Sequence, residues 1–174
     1  MADVTDQTPG QAEAVDEIRN YCSLGPSIGT GGQPSEPQVR ALVAARHTTI
    51  VNLGLLDPKY CLPDEAGLAR TLGVSYHHIP VDFAAPTMAN FRAFAAVADA
   101  WLAQRKSDAG AREENKLFVH CAANYRVSAF FALWGELRLG WSRDAADQHA
   151  RRFWEPNPVW QSFLRDARAT LFGA

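Results

Sequence analysis

Residues 119–128 read Val-His-Cys-Ala-Ala-Asn-Tyr-Arg-Val-Ser, with a thiol and a guanidinium on either side of a short turn. A free cysteine titrates near about pH 8.5, and only its thiolate attacks. A helix starting just after the turn favours that thiolate, because its first N–H groups lack partners and its dipole is positive at that end. The same N–H groups hold an oxyanion. Arg126 adds a planar fork matched to two oxygens of a phosphate or sulfate. Strand, cysteine, turn, arginine and helix therefore make a nucleophile poised beneath a tetrahedral anion. The bland alternatives are a small buried hydrophobe at Cys121 and a helix-surface charge at Arg126.

Such a site needs elements to hold it. KLFV at 116–119 reads as a strand that delivers His120 and Cys121. The following helix, about 127–139, is apolar on nearly every side, which marks it as central and buried. Upstream, a short strand near 27–29 runs into GTGGQP at 29–34, which reads as a tight turn more readily than as a glycine nest for anions. Ser35 and Gln38 have capping-box spacing, and Pro37 fits a first turn, so a helix begins there and stops near His47. HTTIVNLGL at 47–55 is a buried strand. Asp64 caps a short helix that Gly73 ends. VSYHHIPV at 74–81 is the next strand. Pro86 and Thr87 open a helix carrying Phe91, Phe94, Ala98 and Trp101 inward, followed by a polar loop at 107–115. Two more helices are expected around 143–154 and 158–172. This alternation predicts an α/β domain with one short, mostly parallel central sheet flanked by helices. In such sheets ligands bind at the carboxyl ends of strands, where Cys121 and Asp82 fall.

The whole chain agrees with that scale. Its 174 residues, 47% apolar and 21% charged, suit one globular domain. Residues 1–18 are poor in large apolar groups and read as a disordered tail, leaving 19–174 as the domain. A net charge of −2 gives no basic footprint for nucleic acid. No apolar run is long enough for a membrane span, and the N-terminus lacks the basic and apolar regions of a secretory signal. Cys22, Cys61 and Cys121 are too few and too scattered for a disulfide framework, which points to a reducing cytoplasm. Cys22 and Cys61 stay open as resolving thiols for an oxidised Cys121. His77 and His78 alternate on a strand and read as structural, while His47 and His149 have no partner pattern. Neither a metal nor a cofactor is expected. Oligomeric state is not written in the sequence.

HCAANYRVSAF at 120–130, with IPVD at 79–82, resembles the cysteine-dependent protein tyrosine and dual-specificity phosphatases. The nearest likeness is to a small bacterial tyrosine-phosphatase-like branch, over about residues 25–140. The resemblance implies a dual-specificity-phosphatase-like fold and a phosphorylated substrate, either a phosphoprotein or a small phosphate ester. It makes Cys121 the nucleophile that becomes a phosphocysteine and His120 the residue that steadies the loop. The backbone of Ala122, Ala123, Asn124, Tyr125 and Arg126 becomes the phosphate cradle, Ser128 the hydroxyl that eases release of the sulfur, and Asp82 a general acid on a mobile loop. Asp82 equally suits a turn cap before Pro86, and Asp57, Asp64 and Glu65 are rival acids nearby. The family's loop is C-x5-R, whereas this chain has C-x4-R. Either the loop is one residue shorter, or its length is kept and the arginine has moved one place forward. The second option leaves Ser128 at the family's position and puts Asn124 where the family has glycine. The shorter count also resembles the rhodanese-type sulfurtransferases, and a non-catalytic phosphate-binding module is a further alternative.

Overall fold

The computed structural model describes residues 14–107 and 114–173. A 3-10 turn at Val15–Glu17 precedes strand β1 (Cys22–Ser23) and strand β2 (Ile28–Gly31). Then come helix α1 (Glu36–Ala44), β3 (His47–Asn52), α2 (Glu65–Thr71), β4 (Ser75–His78) and α3 (Met88–Ser107). The chain finishes with β5 (Lys116–His120), α4 (Tyr125–Arg138), α5 (Arg143–Ala150) and α6 (Pro158–Phe172). The sheet runs β1-β2-β5-β3-β4, and only the β1–β2 pair is antiparallel. The α/β, mostly parallel architecture expected from the alternation is therefore present.

The topology puts β5 in the middle. Val119 pairs with Thr30 on one side and with Val51 on the other, and His120 pairs with Gly31 and Asn52. Because strand side chains alternate, β5 feeds two cores. Phe118 joins Ile18, Val39, Leu42 and Ile50 under α1 and α2. Leu117 and Val119 join Phe91, Phe94, Phe130 and Trp134 under the later helices. In that second core Phe94 meets the rings of Phe130, Phe131 and Trp134 at 5.8, 5.4 and 6.5 Å. Residues 126–135 of α4 are all buried, as an all-round apolar helix requires. Each fully buried large side chain contributes about 1.5–3 kcal/mol, so this layer dominates the stability of the sheet's second face.

Local signals act as expected. Ser35 and Gln38 form a reciprocal capping box on α1. Asp64 Oδ1 accepts from Gly67 N at 2.8 Å to start α2, and Gly73 closes it at φ +73°. Thr87 Oγ1 accepts from Asn90 N at 3.1 Å at the start of α3. Three differences stand out. Of the expected tail, residues 1–13 lie outside the described residues, but Ile18 is buried, so the packed chain already includes residues before 19. Strand β1 was not anticipated, since two residues carry no periodic pattern. Of the expected loop at 107–115, residues 108–113 lie outside the described residues, and Ser107 is still helical.

Candidate active site

Strand β5 stops at His120 and hands over to Cys121 at the carboxyl edge of the sheet. The neighbouring strands β2 and β3 lead away from it on either side, so the loop after β5 opens at a crevice. Cys121 N donates to Gly31 O at 3.3 Å, and the residue has 0% exposure. The turn is then locked from the N-terminal side. Ala122 O accepts from Gln33 N at 3.2 Å, and Ala123 O accepts from Asn20 Nδ2 at 2.9 Å. Asn124 Nδ2 returns the favour, donating to Asn20 O at 2.7 Å and Thr30 Oγ1 at 3.1 Å. GTGGQP is thus neither a free turn nor a nest. Its first part is strand β2, and Gly32 bridges to Ala123. A Cβ at Gly32 would come within 2.7 Å of Ala122 O, which is why glycine stands there.

Asn124 takes the left-handed conformation, φ 68° and ψ 7°, which asparagine tolerates better than most residues. The next residue begins α4. The helices α1, α2, α5 and α6 each start with a side chain, Ser35, Asp64, Ser142 or Asn157, that accepts from their first turn. Asn124 makes no such bond. Among the described residues, the N–H groups of Tyr125, Arg126 and Val127 therefore have no acceptor, and neither do those of Ala122 and Ala123. Five donors close in sequence to one buried thiol are left unpaired. That is an anion cradle, and the helix dipole reinforces it.

Arg126 lies at the second position of α4. One residue on a helix is about 100° of rotation, so its side chain leaves the helix at a different angle from an arginine one place later. It reaches the segment after β4. Arg126 Nε donates to Val81 O at 2.8 Å, and the guanidinium carbon lies 5.3 Å from the Phe83 ring centroid. Its outer Nη edge has no protein acceptor among the described residues. Asp82 sits between those two contacts and is exposed. Its Oδ1 accepts from Ala84 N at 2.9 Å, so it caps a local turn. Phe83 is gripped further: its ring lies 5.4 and 5.7 Å from Trp154 and Trp160, and Phe83 O accepts from Trp160 Nε1 at 2.8 Å. The Asp82 segment is fastened on both sides, where a mobile loop was expected.

The Ser128 hydroxyl has protein partners of its own. It faces Tyr125 O at 3.0 Å and Ala150 O at 3.4 Å, and it accepts from Trp154 Nε1 at 3.2 Å. Trp154 also stacks on Tyr125, 5.0 Å and 5° from parallel. His120 Nε2 lies 2.6 Å from Glu65 Oε1, with side-chain exposures of 0% and 3%. Glu65 Oε2 accepts from Gln33 Nε2 at 3.0 Å. Burial works against the Glu65 carboxylate, but His120 and Gln33 outweigh it and hold its pKa below the ordinary range. Of the other candidate acids, Asp64 caps α2 and Asp57 accepts from Lys59 N at 2.9 Å within its own turn. His78 Nε2 is bonded to Gly54 O at 2.8 Å, His77 to the Ser75 hydroxyl at 3.1 Å, and His47 Nδ1 to Leu42 O at 3.0 Å, so all three have structural partners. Cys22 is buried and Cys61 half-buried, and both are free thiols. No group of three metal-ligating side chains forms among the described residues.

Sequence reasoning thus brought Cys121, His120, Asn124 and Arg126 to one loop and Asp82 to its flank. It missed Asn20, Trp154 and Trp160, and it read Glu65 only as a rival acid. These act through contacts 26–104 residues away in sequence, and no local spacing announces them.

No protein-family model and no curated protein sequence matches the chain. Solved structures do. A DUF442 protein of Shewanella putrefaciens CN-32, classed as a candidate phosphatase, is 27% identical with a TM-score of 0.71, covering 92% of this chain and 98% of its own. TpbA of P. aeruginosa, bound to pTyr, is 22% identical with a TM-score of 0.59 over 97% of this chain and 92% of its own. PTPMT1, bound to PI(5)P, is 18% identical with a TM-score of 0.64 over 86% of this chain and 97% of its own. In its fold, and in a buried cysteine set between a strand and a helix, the chain is similar to these cysteine-based protein tyrosine and dual-specificity phosphatases.

Proposed function

We propose that the chain hydrolyses a phosphate monoester in two steps through a phosphocysteine at Cys121. The observation that carries this reading is the uncapped, buried start of α4 beside the thiol, where all other capped helices close their own ends. In the first step the Cys121 thiolate attacks phosphorus and the bond to the leaving oxygen breaks. Asp82 gives that oxygen its proton. The amides of Ala122, Ala123, Tyr125, Arg126 and Val127 and the Nη edge of Arg126 hold the equatorial oxygens, whose charge is where stabilisation matters most. In the second step Asp82 takes a proton from water, water attacks phosphorus, and the S–P bond breaks to return the thiolate and release inorganic phosphate. Ser128, bonded to Trp154, holds the first turn of α4 in this scheme. The arginine that has moved one place forward approaches the anion from the Val81 side, which supports a loop of unchanged length over a shorter one.

Cys121 has 0% exposure, so the thiol lies beneath its own loop rather than at the surface. The substrate class is a phosphorylated side chain or a small phosphate ester, in keeping with the pTyr and PI(5)P bound by TpbA and PTPMT1. No helix among the described residues is long and apolar enough to cross a membrane. We take the setting as the cytoplasm of a bacterial cell, supported by the need to keep a reactive thiol reduced and by the likeness to the Shewanella and P. aeruginosa proteins.

The test is p-nitrophenyl phosphate turnover with reductant and EDTA, comparing the chain with Cys121→Ser. Turnover by the wild type that falls at least about a hundredfold in the variant is expected. Equal rates in the two would remove Cys121 from the chemistry. Sulfur transfer from thiosulfate to cyanide is expected from neither.

A further inference from the structure

A buried carboxylate stands behind the nucleophile. Glu65, the first residue of α2, lies 2.6 Å from His120 Nε2, and the residue after His120 is Cys121. Gln33 Nε2 holds the second oxygen at 3.0 Å. The His120 ring is stacked on Phe118, with centroids 5.9 Å apart and planes 26° from parallel. So the ring is fixed in plane by Phe118 and in rotation by Glu65. His120 Nδ1 is buried without a partner. A carboxylate at this depth keeps its charge only when a proton-bearing partner faces it. A contact of this length fits a charge-assisted bond between an imidazolium and a carboxylate.

We propose that Glu65 is a positioning residue for the reaction: it fixes the ring and the positive charge of His120, and through His120 it readies Cys121 as a thiolate. The proposal rests on Cys121 being the nucleophile of the preceding reading. Glu65 touches no reacting atom. It faces the Nε2 proton, and with Nδ1 protonated too the ring next to the nucleophile carries a positive charge that the carboxylate balances. The pair as a whole is neutral and therefore tolerable in the core, while its positive half belongs to the residue directly before the cysteine. The N-terminus of α2 adds its own dipole to the carboxylate.

The other charged or titratable groups around Glu65 are few. His78 from β4 favours the carboxylate when protonated, and Tyr76, also on β4, has a hydroxyl pushed up to about 12, chiefly by burial, so it stays neutral. Cys61 faces Tyr76 from the loop before α2. The charged side chains of the cysteine loop and its flank are Arg126 on α4, bonded to Val81 O, and Asp82 on the segment after β4, bonded to Ala84 N.

A merely structural pair would lose stability when broken and leave the thiol unchanged. The measurement is therefore the ultraviolet absorbance of the Cys121 thiolate against pH, taken as the difference between chains with Cys121 and with Cys121→Ser. It needs neither substrate nor access to the buried thiol. In Glu65→Gln, which keeps the shape and the Gln33 contact, the midpoint is expected to rise by roughly one pH unit, about tenfold less thiolate below it. Glu65→Asp is expected to recover part of that shift. Superimposable titrations for wild type and Glu65→Gln would overturn the proposal. Should Glu65→Gln not fold, the 15N resonances of the His120 ring in the wild type decide it. Both nitrogens protonated at neutral pH supports the proposal, and a ring with either nitrogen unprotonated overturns it. Because no step of this test uses phosphate chemistry, a chain with a shifted midpoint and no turnover would sink the phosphatase reading and leave the positioning role standing.

Discussion

Arg126 shows how much one place on a helix matters. Its Nε is bonded to Val81 O and its flat face lies over Phe83, so only the Nη edge remains for an anion. Lysine has a single charged nitrogen and cannot make the carbonyl bond and the anion contacts together. Arg126→Lys is expected to weaken vanadate or phosphate binding by about tenfold or more, read by competition against p-nitrophenyl phosphate; unchanged affinity would mean the amides alone form the cradle. The cysteine, the arginine and the left-handed asparagine were all legible in the sequence because each advertises its chemistry through its type and its neighbours. Glu65 was not. Its role depends on a bond to a residue 55 positions away, and in sequence it looks like any acidic residue in the first turn of a helix.

At the scale of elements, the segment around Asp82 is the instructive case. The resemblance suggested a mobile loop, yet Val81 O is held by Arg126 and Phe83 O by Trp160. The Phe83 ring is wedged between Trp154 and Trp160, which themselves lie 5.9 Å apart. Trp154 and the start of α6 thus clamp the segment that carries Asp82. Trp160→Phe keeps most of the apolar volume but loses the bond to Phe83 O. We expect kcat to fall by about three- to tenfold with KM little changed, since one neutral hydrogen bond contributes about 1 kcal/mol. A change in KM alone would mean the clamp shapes the pocket rather than the acid. The helices themselves were readable from caps and apolar faces, as Ser35, Asp64 and α4 show. The clamp was not, because aromatic residues in a C-terminal helix signal a core and say nothing of which loop they pin.

For the molecule as a whole, the titration of buried histidines sets the acid limit. Burial pushes the His149 pKa from 6.5 down to about 4, with Arg152 adding to the effect, and burial lowers that of His47 as well. The His149 ring packs on Trp141 at 5.0 Å, and its Nε2 is buried without a partner, so the neutral form is the folded one. Below pH 6.5 the unfolded chain binds a proton there that the folded chain refuses, so stability is full above that pH and is lost as pH falls toward about 4. Glu65 works in the same direction lower down, since its depressed pKa gives stability that is present above the ordinary carboxylate range and lost beneath it. The expected result is a denaturation midpoint that declines from about pH 6.5 downward, with His149→Gln flattening the upper part by up to about 3 kcal/mol. A midpoint independent of pH across that range would mean His149 is charged in the fold.

The bonds between Asn20 and the nucleophile loop carry a consequence for where the working unit begins. Asn20 Nδ2 holds Ala123 O, Asn124 Nδ2 holds Asn20 O, and Gly32 N donates to Arg19 O at 2.7 Å. Residues 19 and 20 precede every strand of the sheet, yet they are the keystone of the turn that shapes the cradle. A shortened chain starting at β1 would retain all five strands and both cores except Ile18 and the half-buried Val15 and Tyr21, and would lack the piece that holds its own cysteine loop. The geometry of the turn therefore depends on two residues that belong to no strand or helix.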